Sequence, residues 1–493
     1  MKTLSDLTSL PLPEALKSIA VRDVAIDSRS LTGGELFVAL QGARLDGRKF
    51  IDQAIARDAA AVIAEGPESL ECRDGTYVWQ TPRARAYAGD ITHTLYGSVT
   101  SGPLTVIGVT GTNGKTSVTH FIAQMLRRAS RLAGVIGTVG QGVPGALQAT
   151  LNTTPDVVSL HRMLAELSHQ GLTDVAMEVS SHALDQQRTA SVRFAAAVFT
   201  NITRDHLDYH GTFARYAAAK RKLFEQAPLD TAIINIADPV GAQWYGELKG
   251  AHPEQVISYG TPDSDVHACH LVRQPDGFQG ELVIGGERAP FYLPLIGEFN
   301  VQNALAAAAY MASCGHGVKR VAEWMGALAA VPGRMQMLHQ PDMPAVVIDY
   351  AHTPDALEQA LSALRGHCNG RLWVVFGCGG ERDRGKRPAM GRVAEEQADR
   401  VVLTDDNPRG ESPQAILRDI LGGMERPHRA TCIQPREMAV RYCVERASPD
   451  DLILLAGKGH ETYQEVAGQR FAFSDLDVAR QALSARRSRE AQQ

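Results

Sequence analysis

The run Thr110-Gly111-Thr112-Asn113-Gly114-Lys115-Thr116 stands between an apolar stretch ending at Val109 and a helical spacing of apolar residues at Val118, Phe121, Ile122, Met125 and Leu126. Glycines in such a loop let backbone N–H groups turn inward around an anion. The start of the following helix favours negative charge, Lys115 adds a point charge, and the Thr116 hydroxyl can ligate Mg²⁺. The common spacing GxxxxGK[ST] would need glycine where this chain has Val109; its glycines stand at 108 and 111. Strand, loop and helix start still occur in the right order, so the loop reads as a nucleotide-phosphate site with ATP as the expected ligand.

Two further segments of the same region carry ligand-type side chains. Glu178 closes the run Val175-Ala176-Met177 and precedes Val179-Ser180-Ser181-His182, which places it near the carboxyl end of a strand. Residues 201–210 read Asn-Ile-Thr-Arg-Asp-His-Leu-Asp-Tyr-His after a run ending at Phe199. If that segment is helical, His206 and His210 share one face at i and i+4, although hard Mg²⁺ prefers oxygen to a pair of imidazoles. For His206, spacing leaves metal contact and a capping or structural role equally open. Lys220 reads locally as a surface lysine on an Ala-rich helix. His267-Ala268-Cys269-His270 is the one local cluster of soft ligands, and it lacks the second ligand pair that a structural zinc site uses.

These residues need elements to carry them. Short apolar runs at 35–40 and 60–64, separated by turn-rich stretches, predict a small α/β domain over residues 1–90. Runs at 104–109, 175–179, 195–199 and 232–235 alternate with helical patterns and predict a mainly parallel sheet over 91–334. A Pro-Gly break at Val331-Pro332-Gly333-Arg334 precedes a third alternating unit, 335–493, with strands at 345–349, 372–376, 400–403 and 452–455 and a helix over 355–364. The fold class is therefore α/β in three domains. The central one is a P-loop ATPase-like parallel sheet, between a smaller N-terminal α/β domain and a C-terminal Rossmann-like one. Polar clusters follow the ends of the third unit's strands, at 349–352, 377–380, 405–409 and 457–461, where open α/β sheets collect ligands.

Composition narrows the function classes. The 493 residues carry 50 Lys+Arg against 55 Asp+Glu, a net charge of -5, which offers no global attraction for nucleic acid. No stretch approaches the roughly 18 apolar residues of a membrane span, and no secretory signal is visible, so a cytoplasmic protein without membrane insertion is expected. Seven cysteines, an odd number with no CxxC pair, suit free thiols.

In order along nearly the whole chain, the sequence carries Asp27-Ser28-Arg29, the loop 110–116, Asn152-Thr153-Thr154-Pro155, Glu178-Val179-Ser180-Ser181-His182 and Asp205-His206-Leu207-Asp208-Tyr209-His210. Next come Asn300-Val301-Gln302-Asn303-Ala304, Gly333-Arg334-Met335, Asp349-Tyr350-Ala351-His352, Asp406-Asn407-Pro408-Arg409 and Gly457-Lys458-Gly459-His460-Glu461. Together these resemble the Mur ligase family, and within it the members that add diaminopimelate; TGTNGKT is that family's own form of the loop.

The resemblance implies ATP-dependent amide synthesis through an acyl phosphate, in peptidoglycan precursor synthesis. The D-Glu carboxylate of UDP-N-acetylmuramoyl-L-Ala-D-Glu would attack the γ-phosphate of ATP, and the amine of meso-2,6-diaminopimelate would then attack the activated carbonyl. It implies that Lys115, Glu178, His206 and Lys220 serve catalysis. Thr116, Glu178, His206 and a carbamylated Lys220 would serve Mg²⁺. Gly111, Thr112, Asn113, Gly114, Lys115, Thr116, Asn303, Arg334 and Asp349 would contact ATP, the last two when the third domain closes. Ser28, Thr153, Thr154, Ser180, Gln186 and Arg188 would hold the UDP-muramoyl dipeptide, although Arg188 alone reads as a solvated surface arginine. Arg382, Asp406, Asn407, Pro408, Arg409, Gly457 and Glu461 would form the diaminopimelate pocket, with Arg409 on the distal carboxylate that lysine lacks and Glu461 on the distal ammonium. Taken alone, Asn407-Pro408 is a common turn signal. A monomer is expected. The competing readings are an L-lysine-adding relative, a folylpolyglutamate-synthase-like ligase, and a nucleotide-binding switch that makes no amide.

Overall fold

The computed structural model describes residues 1–490 except 43–44, 98–103, 151, 226–228 and 252–254. Two compact units emerge: Met1–Val266 with Ala306–His316, and His267–Leu305 with Gly317–Gln493.

The first unit opens with a small sheet in which Val24–Ala25, Leu36–Ala39, Ala61–Glu65 and Thr76–Thr81 run parallel and Ser69–Arg73 adds an antiparallel edge. Its apolar residues divide by period 2. Leu36 and Val38 join Ile63 and the helix Ala84–Gly97 on one side, while Phe37 and Ala39 pack with Val62, Ala64 and Ala54 on the other. The larger sheet of this unit has the order Gly140–Gly142, Ala133–Gly137, Asp174–Glu178, Thr105–Thr110, Phe194–Phe199, Thr231–Asn235, Val256–Tyr259. All its pairings are parallel except the first. A strand covered on both faces has no solvent side to keep polar, which is why these runs read as continuously apolar rather than alternating.

In the second unit, residues 267–274 neighbour Gly277–Ile284, which pairs antiparallel with Glu287–Leu293. A separate sheet has the order Gln336–Leu338, Ala345–Asp349, Leu452–Ala456, Leu372–Phe376, Arg400–Leu403, Thr431–Cys432, parallel after its first pair. Val347, Leu372, Val374, Phe376 and Leu454 face one helical layer, and Val346, Ile348, Trp373, Val375 and Ile453 face the other. A buried ion pair secures the carboxyl end of this sheet: Arg436 donates to both Asp475 oxygens at 2.8 Å, and also to the carbonyls of Ala456 and Asp405.

Among the described residues, no helix is long and apolar enough to cross a membrane. All seven cysteines are free.

Candidate active site

In the first unit the strand Thr105–Thr110 delivers the loop 111–114 to the helix Lys115–Arg128. Gly114 adopts φ 85°, a left-handed conformation that glycine takes without steric cost. At Gly111 a Cβ atom would lie 1.8 Å from Thr200 Oγ1, so only glycine fits. The neighbouring strand end clamps the loop from the side. Thr200 Oγ1 donates to Asn113 O at 2.6 Å, Asn201 Oδ1 accepts from Asn113 N at 3.0 Å, and Thr112 N donates to Asn201 O at 2.8 Å. Lys115 Nζ folds over the loop and donates to Gly111 O and Thr112 O, both at 2.9 Å. The Thr116 side chain is buried at the helix start.

Lys220 overturns its reading as a surface residue. It is 1% exposed, its Nζ donates to Gly111 O at 2.7 Å, and it lies 4.6 Å from the centre of the Tyr216 ring. Burial, with the Lys115 charge nearby, pulls its amine well below the usual lysine range.

Glu178 ends its strand almost wholly buried, with Oε1 accepting from Thr138 N at 2.8 Å and Oε2 from Thr138 Oγ1 at 3.2 Å. Thr138 also meets Thr153 Oγ1 at 3.0 Å. Thr154 Oγ1 donates to Glu178 O at 2.9 Å and accepts from Ser180 N, and Ser180 caps the helix Ser181–Asp185. Arg188 is also not a solvated surface arginine: it is half-buried and donates to Thr154 O at 3.0 Å and twice to Gln186 Oε1. Thr153, Thr154, Ser180, Gln186 and Arg188 thus form one hydrogen-bonded set running back to Glu178. Ser28 stands apart from that set, buried in the small sheet's domain and donating to Gln53 Oε1 at 2.8 Å. Arg85 ties that domain to the set by donating to Glu65 and to Gln186 O.

His206 and His210, which a continuous helix would set on one face, do not both lie inside one. His206 is left-handed at φ 52° and serves as the N-cap of a single turn, Leu207–His210, which Gly211 ends at φ 76°. His210 Nε2 is engaged with Ser181 Oγ at 3.0 Å. Both imidazoles flank His182, at ring distances of 4.8 and 5.4 Å, and burial with these neighbours pushes His182 down to about 4. Among the described residues, the one His/Cys/Asp/Glu trio with ligand atoms within 4.8 Å of one another is Cys269, His270 and Glu281 in the second unit. The Glu281 oxygen there already meets His270 Nδ1 at 3.0 Å and Arg288 at 3.7 Å, so the trio is an ion-paired surface cluster.

In the second unit, the polar clusters gather at the carboxyl ends of the Ala345–Asp349 sheet. Asp349 accepts from Met335 N and Ala351 N, both at 2.8 Å. Arg334 stacks 4.8 Å from the Tyr350 ring centre, and its buried Nε has no hydrogen-bond partner among the described residues. Asn303 is buried and donates to Asn300 Oδ1 at 3.2 Å.

Asp406, Asn407, Pro408, Arg409, Gly457 and Glu461 come together. Asp406 Oδ1 accepts from Asn407 N at 2.7 Å, and a Cβ on Gly457 would sit 2.7 Å from Asp406 Oδ2. Asn407 Nδ2 donates to Glu461 Oε2 at 2.9 Å. Arg409, left-handed at φ 50°, donates to Gly380 O at 2.8 Å and approaches Glu465 at 3.5 Å. Pro408 packs its carbonyl against Gly380, where a Cβ would come within 2.0 Å. Exposed Arg382 lies beside Arg409 across Gly379. The cluster sets two guanidinium groups and a carboxylate where one ligand end bearing both charges can be read. Thr138, Glu465 and Lys458 belong to these networks and were not found from sequence; only the position of Thr138 directly after an apolar run, and of Lys458 inside a quoted motif, carried a signal.

Family models match across the chain: "Mur ligase family, catalytic domain" over residues 20–93, "Mur ligase middle domain" over 109–311 and "Mur ligase, glutamate ligase domain" over 333–459. A UDP-N-acetylmuramoyl-L-alanyl-D-glutamate--2,6-diaminopimelate ligase of Alkalilimnicola ehrlichii is 46% identical, covering 94% of this chain and 95% of its own. One of Xanthomonas campestris pv. campestris is 45% identical, covering 96% of each. A solved structure of an enzyme of that name superposes with a TM-score of 0.74 at 34% identity, covering 99% of both chains. With the phosphate loop, the α/β sheets and these matches in place, the chain belongs to the Mur ligase family.

Proposed function

We propose that this chain joins meso-2,6-diaminopimelate to the D-glutamyl carboxylate of UDP-N-acetylmuramoyl-L-Ala-D-Glu with hydrolysis of ATP, acting through three domains over 1–90, 91–334 and 335–493. The observation that carries this reading is the gathering of Arg409 and Glu461 in one cluster with Asn407, which donates to Glu461 while Arg409 is held on Gly380 O, a charge pattern suited to the distal ammonium and carboxylate of diaminopimelate. A bidentate guanidinium on a carboxylate contributes about 1.5–3 kcal/mol, enough to disfavour lysine by one to two orders of magnitude.

The residues would act as follows. The amides of 111–114 and the Lys115 ammonium hold the ATP phosphates, and Asn303, Arg334 and Asp349 contact the nucleotide. The unpartnered Arg334 Nε supports this role, because a buried donor without an acceptor is expensive unless a ligand supplies one. Thr153, Thr154, Ser180, Gln186 and Arg188 position the muramoyl dipeptide, and Ser28 its uridine end. Thr116 Oγ1 and the Glu178 carboxylate are hard oxygen donors that suit Mg²⁺, with His206 a weaker candidate; when bound, the metal would offset the repulsion between carboxylate and γ-phosphate. Lys220 can join that set only as a carbamate. Carbamylation needs a neutral amine, and burial favours that form.

Phosphate release from ATP tests the reaction. It should require both the UDP-dipeptide and the amino acid. ATP turnover indifferent to both would leave a nucleotide switch instead.

A further inference from the structure

Lys458 is wholly buried, a costly position for a cation, and nothing in the reaction as described uses it. Its Nζ donates to Asn407 Oδ1 at 3.1 Å and to Glu461 Oε2 at 2.9 Å. Three consequences follow from these two contacts. The Asn407 amide is held in one orientation, because its oxygen receives both Lys458 and the Glu465 amide at 2.9 Å while its nitrogen faces Glu461. Glu465, held in this way, accepts from Arg409 N at 3.0 Å and approaches the Arg409 side chain, so the order imposed at Lys458 passes to the guanidinium. Finally, both hydrogen bonds to the Glu461 carboxylate fall on Oε2, which leaves Oε1 without a hydrogen-bond partner among the described residues.

We propose that Lys458 is the positioning residue that sets amino-acid selectivity, by orienting Asn407 and Arg409 and by offsetting the charge of Glu461; this rests on the amino-acid pocket assigned under Proposed function. A ligand whose distal end is a lone ammonium gains little from a Glu461 already paired with Lys458. A ligand that brings a carboxylate as well gains the Arg409 contact that Lys458 keeps in place. Lys458 therefore favours the zwitterionic end over the purely cationic one.

The test uses the full-length enzyme and its Lys458→Met and Lys458→Gln variants. It measures KM for meso-diaminopimelate, the inhibition constant of L-lysine competing with it, and KM for ATP and the UDP-dipeptide. In Lys458→Met the diaminopimelate KM should rise about tenfold, while the L-lysine constant changes less than threefold and the other two KM values less than twofold. Lys458→Gln keeps a donor for Asn407 without the charge and should show a smaller shift of the same sign. Equal losses for both amino acids, or an unchanged ratio, would overturn the proposal and leave Lys458 a structural residue. If Lys458→Met does not fold, the ratio in Lys458→Gln decides in the same way. If the unaltered enzyme makes no product with diaminopimelate, the pocket assignment itself fails, a result distinct from an unchanged ratio in an active enzyme.

Discussion

Replacing Lys220 by methionine separates its chemistry from its packing. The side chain is 1% exposed, and methionine nearly matches its length, so the volume stays filled. The change deletes the 2.7 Å hydrogen bond to Gly111 O, worth about 0.5–1.5 kcal/mol for a neutral donor, and the packing of the amine on the Tyr216 ring. It also removes the desolvation of a buried amine beside Lys115, which acts in the opposite direction. The net change in stability at neutral pH should stay within about 2 kcal/mol. Activity should fall far more. Removing one preorganised group that stabilises transition-state charge typically costs about 10²–10³ in rate. The assay is kcat from phosphate release alongside urea unfolding, with acetate or formate added to Lys220→Ala to replace the lost carboxylate and restore part of the rate. A Lys220→Met enzyme within threefold of the original kcat would refute the reasoning. The pH dependence has a definite sign. Because the folded-state amine titrates well below 10.5, the unfolded chain binds more protons over that interval, and the stability of the original chain rises with pH there. Its stability relative to Lys220→Met should therefore improve between pH 7 and 10.

Arg409→Ala should raise KM for diaminopimelate about 10- to 100-fold, leaving that for the UDP-dipeptide within twofold, in initial-rate kinetics; equal losses would place Arg409 outside the amino-acid pocket. His161 is buried and its Nε2–H donates to Ala190 O at 2.9 Å, and burial pushes it down to about 4 from 6.5. The unfolded chain binds the proton first as pH falls, so stability is lost between about 6.5 and 4. By linkage the loss at pH 5 is about 2 kcal/mol, and urea unfolding of His161→Gln should show a flatter acid limb.

The sheets were legible because strands covered on both faces leave continuous apolar runs, and the segments 345–349, 372–376 and 400–403 coincide with strands of the structure. The phosphate loop was legible because glycine, lysine and the flanking periodicities act locally. Lys220 was not, because its burial depends on Gly111, more than a hundred residues away in sequence, and an Ala-rich helix with weak amphipathicity gives no sign of which face is covered. For His206 the sequence left metal contact and a capping role open, and the structure makes it the N-cap of a single turn because His206 and Gly211, both at positive φ, bound that turn. Lys458 acts on a partner 51 residues distant, a pairing that strand topology creates and local sequence does not announce.

The most direct test of the account is the mass of the product formed from ATP, Mg²⁺, UDP-N-acetylmuramoyl-L-Ala-D-Glu and either meso-diaminopimelate or L-lysine. The UDP-muramoyl tripeptide should form with diaminopimelate alone. Product with lysine at a comparable rate would contradict the role given to Arg409 and Glu461, and no product with either would contradict the proposed reaction.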